Sequence, residues 1–102
     1  MGDNPLLTEQ QIQQQLQLLS GWNLETKDKV SQLVKQYSFS DFQGATAAAQ
    51  ILANLADAFD HHPKLIVEWG SLTVIWWTHS VAGLTQRDID MASKTDQQLM
   101  TA

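Results

Sequence analysis

The chain has 102 residues and a formal net charge of −5, which fits a single domain with its own hydrophobic core. It contains no cysteine, so disulfides and thiolate metal sites are excluded, and no apolar run is long enough to span a membrane. The acidic balance and the scattered basic residues argue against nucleic acid as a direct partner.

The amino-terminal residues 1–7 are predicted to be a loose lead-in to the first helix. Residues 1–5 lack the basic and apolar segments of a signal peptide. Residues 1–102 are therefore expected to form one soluble, cytoplasmic domain that does not associate with a membrane.

The first helix is predicted to begin at Thr8, because Thr8 and Gln11 have the spacing of a capping box. Its end is expected at Ser20-Gly21. The apolar residues on its buried face would be Ile12, Leu16 and Leu19.

A pair of strands is predicted next. Residues 22–24 begin an extended segment, residues 25–28 are polar and turn-like, and residues 30–39 have the composition of a strand. The two extended segments are expected to form a hairpin.

The longest helical pattern follows Ser40 and Gln43, a second pair with capping-box spacing. Its apolar positions recur at three- and four-residue steps: Phe42, Ala45, Ala49, Leu52, Ala56 and Phe59. The pattern ends with Asp57, Asp60 and then His61-His62-Pro63. A proline disfavours helical geometry at the preceding residue. The histidine pair is therefore predicted to lie where a helix ends and a strand begins.

A second hairpin is predicted from residues 65–69 and 72–78, joined by a two-residue turn at Gly70-Ser71. In the register that this turn sets, Trp69 faces Leu72, Val67 faces Val74 and Leu65 faces Trp76. The same register, continued beyond the strands, places His62 opposite His79. The spacing therefore predicts that these histidines meet.

Alternation along these strands separates an apolar face from a mixed one. The apolar face, expected to receive the helices, carries Leu65, Val67, Trp69, Leu72, Val74 and Trp76. The other face carries Lys64, Ile66, Glu68, Thr73, Ile75 and Trp77. Its apolar residues would be partly exposed in a monomer, so this face is a candidate interface of a homodimer or homotetramer.

Residues 81–83 are predicted to turn, and Thr85 with Asp88 again has capping-box spacing. The last helix has a partial apolar stripe, made of Ile89, Ala92 and Leu99 with Asp96 on the same face. The predicted order is helix, strand, strand, helix, strand, strand, helix. It favours an α+β fold with a four-stranded antiparallel sheet and three helices on one face.

The histidines are the candidate functional residues, because imidazole is the side chain that ordinarily titrates near neutral pH. One alternative for His61 and His62 is a surface pair at the end of a helix, where a positive charge interacts favourably with the helix dipole. Another is a metal site with His79 and an aspartate, which the absence of chelating spacing disfavours. Acid–base chemistry in a pocket is the third, and the predicted approach of His79 favours it.

The neighbouring acidic and aromatic residues allow two interpretations each. Asp88 could only cap a helix, or it could contribute to the site. Asp57 and Asp60 could merely be solvated. They lie at a helix carboxyl terminus, however, where an acid is mildly unfavourable, and this favours a role in orienting an imidazole or holding a ligand. The tryptophans near the site could be ligand platforms, but they are predicted to be core or interface residues: Trp69, Trp76 and Trp77.

The sequence resembles the pterin-4a-carbinolamine dehydratase family. The resemblance is carried by the run Asp57-x3-His61-His62-Pro63-x5-Trp69-x9-His79-x8-Asp88, with Thr78-His79, Gly83-Leu84-Thr85, Gly21-Trp22 and Phe39-x2-Phe42 around it. It extends over nearly the whole chain. Two departures are Trp69, where the family commonly has tyrosine, and the pair Trp76-Trp77, in place of an aliphatic and a small polar residue.

The resemblance implies a hydro-lyase, 4a-hydroxytetrahydrobiopterin dehydratase, that removes water from a 4a-hydroxytetrahydropterin during recycling of the tetrahydrobiopterin cofactor. It implies no metal and no organic cofactor. Carried over by position, the catalytic residues would be His61, His62, His79 and Asp88. The substrate-binding residues would be Asp57, Asp60, His61, His62, Pro63, Thr78, His79, Ser80 and Val81.

A second hypothesis is a binding partner without catalysis. Relatives of this family act as a dimerisation cofactor of a transcription factor or as assembly chaperones for Rubisco. A pure scaffold would be free to lose His62 or His79, so the presence of all three histidines favours the enzyme.

Overall fold

The computed structural model describes residues 5–100, and within them the order of elements is the predicted one. The helices are α1 (Glu9–Leu16), α2 (Phe42–Phe59) and α3 (Gln86–Met100). The strands are β1 (Asn23–Lys27), β2 (Val30–Ser38), β3 (Lys64–Glu68) and β4 (Ser71–Trp76), and a short 3-10 turn spans His79–Val81. The predicted α+β class is confirmed. The ends of the predicted 1–102 domain, including most of the stretch compared with a signal peptide, lie outside the described residues.

The four strands form one antiparallel sheet in the order β1-β2-β4-β3. One continuous cluster of buried side chains fills the space between this sheet and the helices. It includes Leu33 and Trp76 from the strands and Ile12, Leu52 and Ile89 from the three helices. The helices therefore share one face of the sheet, as predicted.

The capping box of α1 is confirmed. The Thr8 hydroxyl accepts from the Gln11 backbone N–H at 3.1 Å, and the Gln11 side chain accepts from the Thr8 N–H at 2.8 Å. The helix ends at Leu16, so the predicted end at Ser20-Gly21 is wrong. Tighter turns follow, with Leu19 N–H donating to Leu16 O, and Leu19 reaches the core from this turn.

Two other predicted boundaries are wrong because neighbouring polar residues form the turn or the cap. The first hairpin turns at Asp28-Lys29, both with positive φ (52° and 68°), whereas residues 25–27 belong to the exposed edge strand β1. The cap of α2 is Asp41 and not Ser40, since the Asp41 carboxylate accepts from the Gly44 N–H at 2.7 Å.

The register of the second hairpin differs by two residues from the predicted one. Its turn is Trp69-Gly70, and the pairs are Glu68 with Ser71, Val67 with Leu72, and Leu65 with Val74. Gly70 occupies the second turn position at φ 78°, a conformation that glycine adopts without steric cost. The predicted pairing of His62 with His79 is consequently wrong, because the ladder ends at Lys64 and Ile75.

A shift of two residues keeps each side chain on its own face of the sheet. The predicted apolar face is therefore right at every strand position. Trp69 is the exception, since it lies in the turn and is 74% exposed. The opposite face receives no helix within residues 5–100. On it Ile66 is 39% exposed and Trp77 is half-buried, whereas Ile75 is buried because its strand is flanked on both sides.

We expect the chain to form a homodimer or homotetramer through this open face. The face bears Ile66 and Trp77, and a groove of about 390 Å³ runs beside them between Lys27 and Lys64. Burying such apolar surface is favourable on association. Light scattering at high micromolar concentration should give a mass of two or four chains, and a monomer mass would contradict the expectation.

Asp96, on the predicted inner face of α3, is the centre of a polar cluster that fastens α3 to the sheet. Its carboxylate accepts from Lys35 Nζ at 2.9 Å, from Trp22 Nε1 at 3.1 Å and from the Tyr37 hydroxyl. A carboxylate on this otherwise apolar face is therefore satisfied by three donors.

Tyr37, the single tyrosine of the chain, should titrate only when the protein unfolds. Burial, and then the hydrogen bond and charge of Asp96, raise the pKa of Tyr37 above its ordinary value. The folded state holds this proton more tightly, so the resulting stability is complete below about pH 10 and is lost as the pH rises further. In an alkaline titration, phenolate absorbance should appear together with the loss of circular dichroism. A phenolate band in a protein that is still folded would contradict this.

Candidate active site

Three segments of the fold surround a cavity of about 220 Å³ at one end of the sheet. They are the turn after α2, the segment after β4 and the start of α3. The cavity is lined by Asp60, His61, His62, Thr78, His79, Ser80 and Arg87. All three histidines of the chain therefore line one cavity, although they do not form a cross-strand pair.

The turn that carries the first two histidines begins where α2 ends. Asp60 caps the helix in a left-handed conformation (φ 51°, ψ 44°), and the His61 N–H donates to Ala56 O at 3.2 Å. Pro63 then leads into β3 at Lys64. The reversal at Asp60 turns the chain so that His61 and His62 reach the cavity from the end of a rigid helix.

His61 is the most firmly held of the three histidines. It is 7% exposed, and its Nε2 lies 2.6 Å from Oδ1 of the fully buried Asp88. Its ring stacks on Trp76, with 5.5 Å between centroids and 11° between planes. No hydrogen bond within residues 5–100 involves its Nδ1, which leaves that nitrogen available to a molecule in the cavity.

Asp88 connects this histidine to the fold. Its second oxygen, Oδ2, accepts from the Thr78 hydroxyl at 2.7 Å and from the Thr85 backbone N–H at 2.9 Å. The predicted capping box is thus half present, because the Thr85 hydroxyl lies 2.8 Å from the Thr78 hydroxyl instead. Both interpretations of Asp88 hold together, since one carboxylate caps α3 and orients the imidazole.

His62 and His79 lie at the open side of the cavity. Nε2 of His62 is 3.0 Å from Asp57 Oδ1, and both side chains are largely exposed. His79 is exposed and stacks on Trp77, with 4.3 Å between ring centroids and 23° between planes. One imidazole is therefore fixed and buried, and two are accessible to solvent and to a ligand.

Within the described part of the chain, no three histidine, aspartate or glutamate side chains lie close enough together to hold a metal ion. Residues 5–100 also contain no helix that is both long enough and apolar enough to cross a membrane.

Comparisons with known proteins show the family of the chain. The family model for pterin 4 alpha carbinolamine dehydratase matches residues 5–98. The chain belongs to the pterin-4a-carbinolamine dehydratase family. The solved structure of a transcriptional coactivator/pterin dehydratase from Brucella melitensis is 30% identical, with a TM-score of 0.82 over 93% of this chain and 99% of that chain.

A second solved structure shares the pterin-4a-carbinolamine dehydratase fold. It is a pterin dehydratase-like protein identified as a RuBisCO assembly factor in the alpha-carboxysome. It is 16% identical, with a TM-score of 0.66 over 80% of this chain and 93% of that chain. At this identity the likeness concerns the fold alone.

Some of the site residues that the family resemblance implied do not line the cavity. Asp57 contacts the lining residue His62, and Asp88 contacts the lining residues His61 and Thr78, but neither aspartate lines the cavity itself. Pro63 and Val81 lie next to lining residues but do not line the cavity themselves.

Sequence reasoning missed one lining residue and the aromatic support of two others. Arg87 lines the cavity and had no predicted role. Trp76 and Trp77, predicted as core or interface residues, also stack on His61 and His79. No sequence signal marked Arg87, because its partners are the backbone carbonyls of Phe59 and Asp60.

Proposed function

We propose that the chain is a 4a-hydroxytetrahydrobiopterin dehydratase that acts by histidine acid–base catalysis. The observation that carries the proposal is the single cavity lined by His61, His62 and His79, with His61 held by the buried Asp88. Membership of the pterin-4a-carbinolamine dehydratase family supports the same reaction class. A role in recycling tetrahydrobiopterin is part of the proposal.

The reaction needs two proton transfers. The C4a–O bond of the 4a-hydroxytetrahydropterin breaks, and the departing hydroxyl takes a proton and leaves as water. The N5–H proton is removed, and its electron pair forms the C4a=N5 bond of the quinonoid dihydropterin. One protonated and one neutral imidazole are sufficient for these steps, because imidazole both donates and accepts protons near neutral pH.

The surroundings of each histidine support separate roles. His61, whose Nε2 is taken by Asp88, would exchange a proton through Nδ1. The exposed His79 would be its acid–base counterpart, since it can recover or release a proton to solvent. His62 would bind the substrate at the carbinolamine and share in catalysis, oriented by Asp57.

A stable analogue, 7,8-dihydropterin, tests the binding half of the proposal. Added to isotope-labelled protein, it should shift the backbone resonances of His61, His62 and Thr78 in a saturable way. The groove beside Ile66 and Lys64 on the open face serves as the internal control and should not respond. Saturable shifts confined to that groove, or none at all, would contradict a pterin site in the cavity.

We expect activity to survive exhaustive treatment with EDTA. The proposed proton transfers need only the imidazoles, and the neighbouring pair His61-His62 lacks chelating spacing. Turnover should be measured before and after chelation, with zinc added back to a third sample. A loss of turnover that zinc restores would overturn the metal-free mechanism.

A binding partner without catalysis is the second candidate. The open sheet face and the exposed Trp69 offer apolar surface for a protein partner. The name of the Brucella melitensis relative joins coactivator with dehydratase, so both roles can be attributed to one fold. A chain with this second role alone would bind no pterin in the cavity.

A further inference from the structure

The carboxyl end of α2 has no basic residue of its own to bind its last carbonyl groups. The last carbonyls of a helix have no partner within the helix, and basic side chains in the final turn often bind them. α2 has no basic residue in its last turn, and Asp57 lies there instead. The helix dipole disfavours an acid at this end. A cation from another element would therefore stabilise the backbone immediately before His61.

Arg87, in the first turn of α3, supplies that cation. Its Nη2 donates to the carbonyl oxygens of Phe59 and Asp60, each at 3.0 Å. Phe59 is the last residue of α2, and Asp60 is the cap with positive φ. A left-handed conformation is strained for a residue other than glycine, so it persists only where contacts with the surrounding structure maintain it. The two hydrogen bonds from Arg87 provide that support.

Arg87 and Asp88 thus hold the same turn from adjacent positions. Asp88 binds the ring of His61, whereas Arg87 binds the backbone immediately before that residue. Both side chains come from the start of α3, which is anchored in the core by Ile89. One rigid element therefore sets both the orientation of the imidazole and the path of the chain that carries it.

We propose that Arg87 is a positioning residue for the histidine turn, defined here as residues 59–62. It holds the backbone from which His61 and His62 reach the cavity. Its effect on turnover rests on the proposed dehydratase function, whereas its effect on the turn does not. A misplacement of about 1 Å at a catalytic group costs up to roughly 100-fold in rate. Loss of Arg87 should therefore lower kcat more than it changes KM.

The test compares Arg87→Met and Arg87→Lys with the control Lys94→Met. Lys94 lies on the same helix, carries the same charge and contacts the Phe59 ring, with 5.0 Å from Nζ to the centroid. Arg87→Met should lower kcat by about 10- to 100-fold with little change in KM, the pattern of an interaction that acts in the transition state. Arg87→Lys should restore part of the loss, because an ammonium group can donate to both carbonyls.

Backbone amide spectra and amide exchange at residues 60–62 give the readout that does not depend on catalysis. Arg87→Met should shift these signals and speed their exchange, and Lys94→Met should leave them as in the wild type. Native signals in Arg87→Met, or a change in KM without a change in kcat, would overturn the proposal. If Arg87→Met does not fold, Arg87→Lys carries the same comparison. If the wild type has no dehydratase activity, the proposed function fails, and the amide comparison still decides the positioning.

Discussion

Replacing His62 or His79 by alanine is expected to lower dehydration of a 4a-hydroxytetrahydropterin by about 100- to 10,000-fold, the usual contribution of a general acid or base. Both imidazoles line the cavity and both are exposed, so few packing contacts disappear with them. The exposed contact between His62 and Asp57 contributes at most about 1 kcal/mol. Folding should therefore be nearly unchanged.

Kinetics and thermal melts on the same samples separate the two effects. Lys64→Ala is the matched control, because Lys64 follows the same turn, is exposed and lies outside the cavity. It should retain wild-type turnover. If His62→Ala and His79→Ala dehydrate the substrate at the wild-type rate, the catalytic assignment is wrong, and the binding-partner function becomes the leading candidate.

Replacing Asp88 is expected to have the largest effect on stability. Its carboxylate is fully buried and bonds three groups, namely the His61 ring, the Thr78 hydroxyl and the Thr85 N–H. Asp88→Ala would leave these buried groups without their acceptor, which should cost about 3–5 kcal/mol of the free energy of unfolding. Asp88→Asn should cost less than Asp88→Ala, because the amide oxygen of asparagine still accepts hydrogen bonds. Some cost remains, because the NH2 group replaces an oxygen that accepts a hydrogen bond in the wild type.

Urea unfolding measures this cost, and Asp90→Asn is its control. Asp90 lies two residues further along α3, is exposed and bonds only the Gln86 side chain among the described residues. Its replacement should change stability by at most about 0.5 kcal/mol. Asp88→Asn should also reduce turnover, though less than the histidine variants do. An Asp88→Ala protein as stable as Asp90→Asn would contradict the central place of Asp88 in the site.

The fold was predictable where the signal is local. The capping box at Thr8 and the three- and four-residue spacing through Leu52 follow from helical geometry, so α1 and α2 were found. The register of a hairpin depends on which turn residue has positive φ. The sequence allowed Gly70 to be either the first or the second residue of the turn, and the structure has it second. An error of two residues kept the faces of β3 and β4 right and made the pairing wrong.

The candidate site was predictable only for side chains with recognisable chemistry. The three histidines and Asp88 were identified from residue type and family resemblance. Arg87 was missed because its partners are backbone carbonyls, which every residue has and no sequence pattern marks. The stacking of Trp76 on His61 was missed for a related reason, since a core tryptophan and one that supports a catalytic ring have the same periodicity.

Turnover of chemically generated 4a-hydroxytetrahydropterin by the wild-type chain is the most direct test of the proposed function. The assay follows formation of the quinonoid dihydropterin against the spontaneous reaction in buffer. The histidine site predicts an acceleration that rises linearly with protein concentration, saturates with substrate and disappears in His62→Ala. A wild-type protein that is folded, by circular dichroism, and leaves the spontaneous rate unchanged would contradict the assignment.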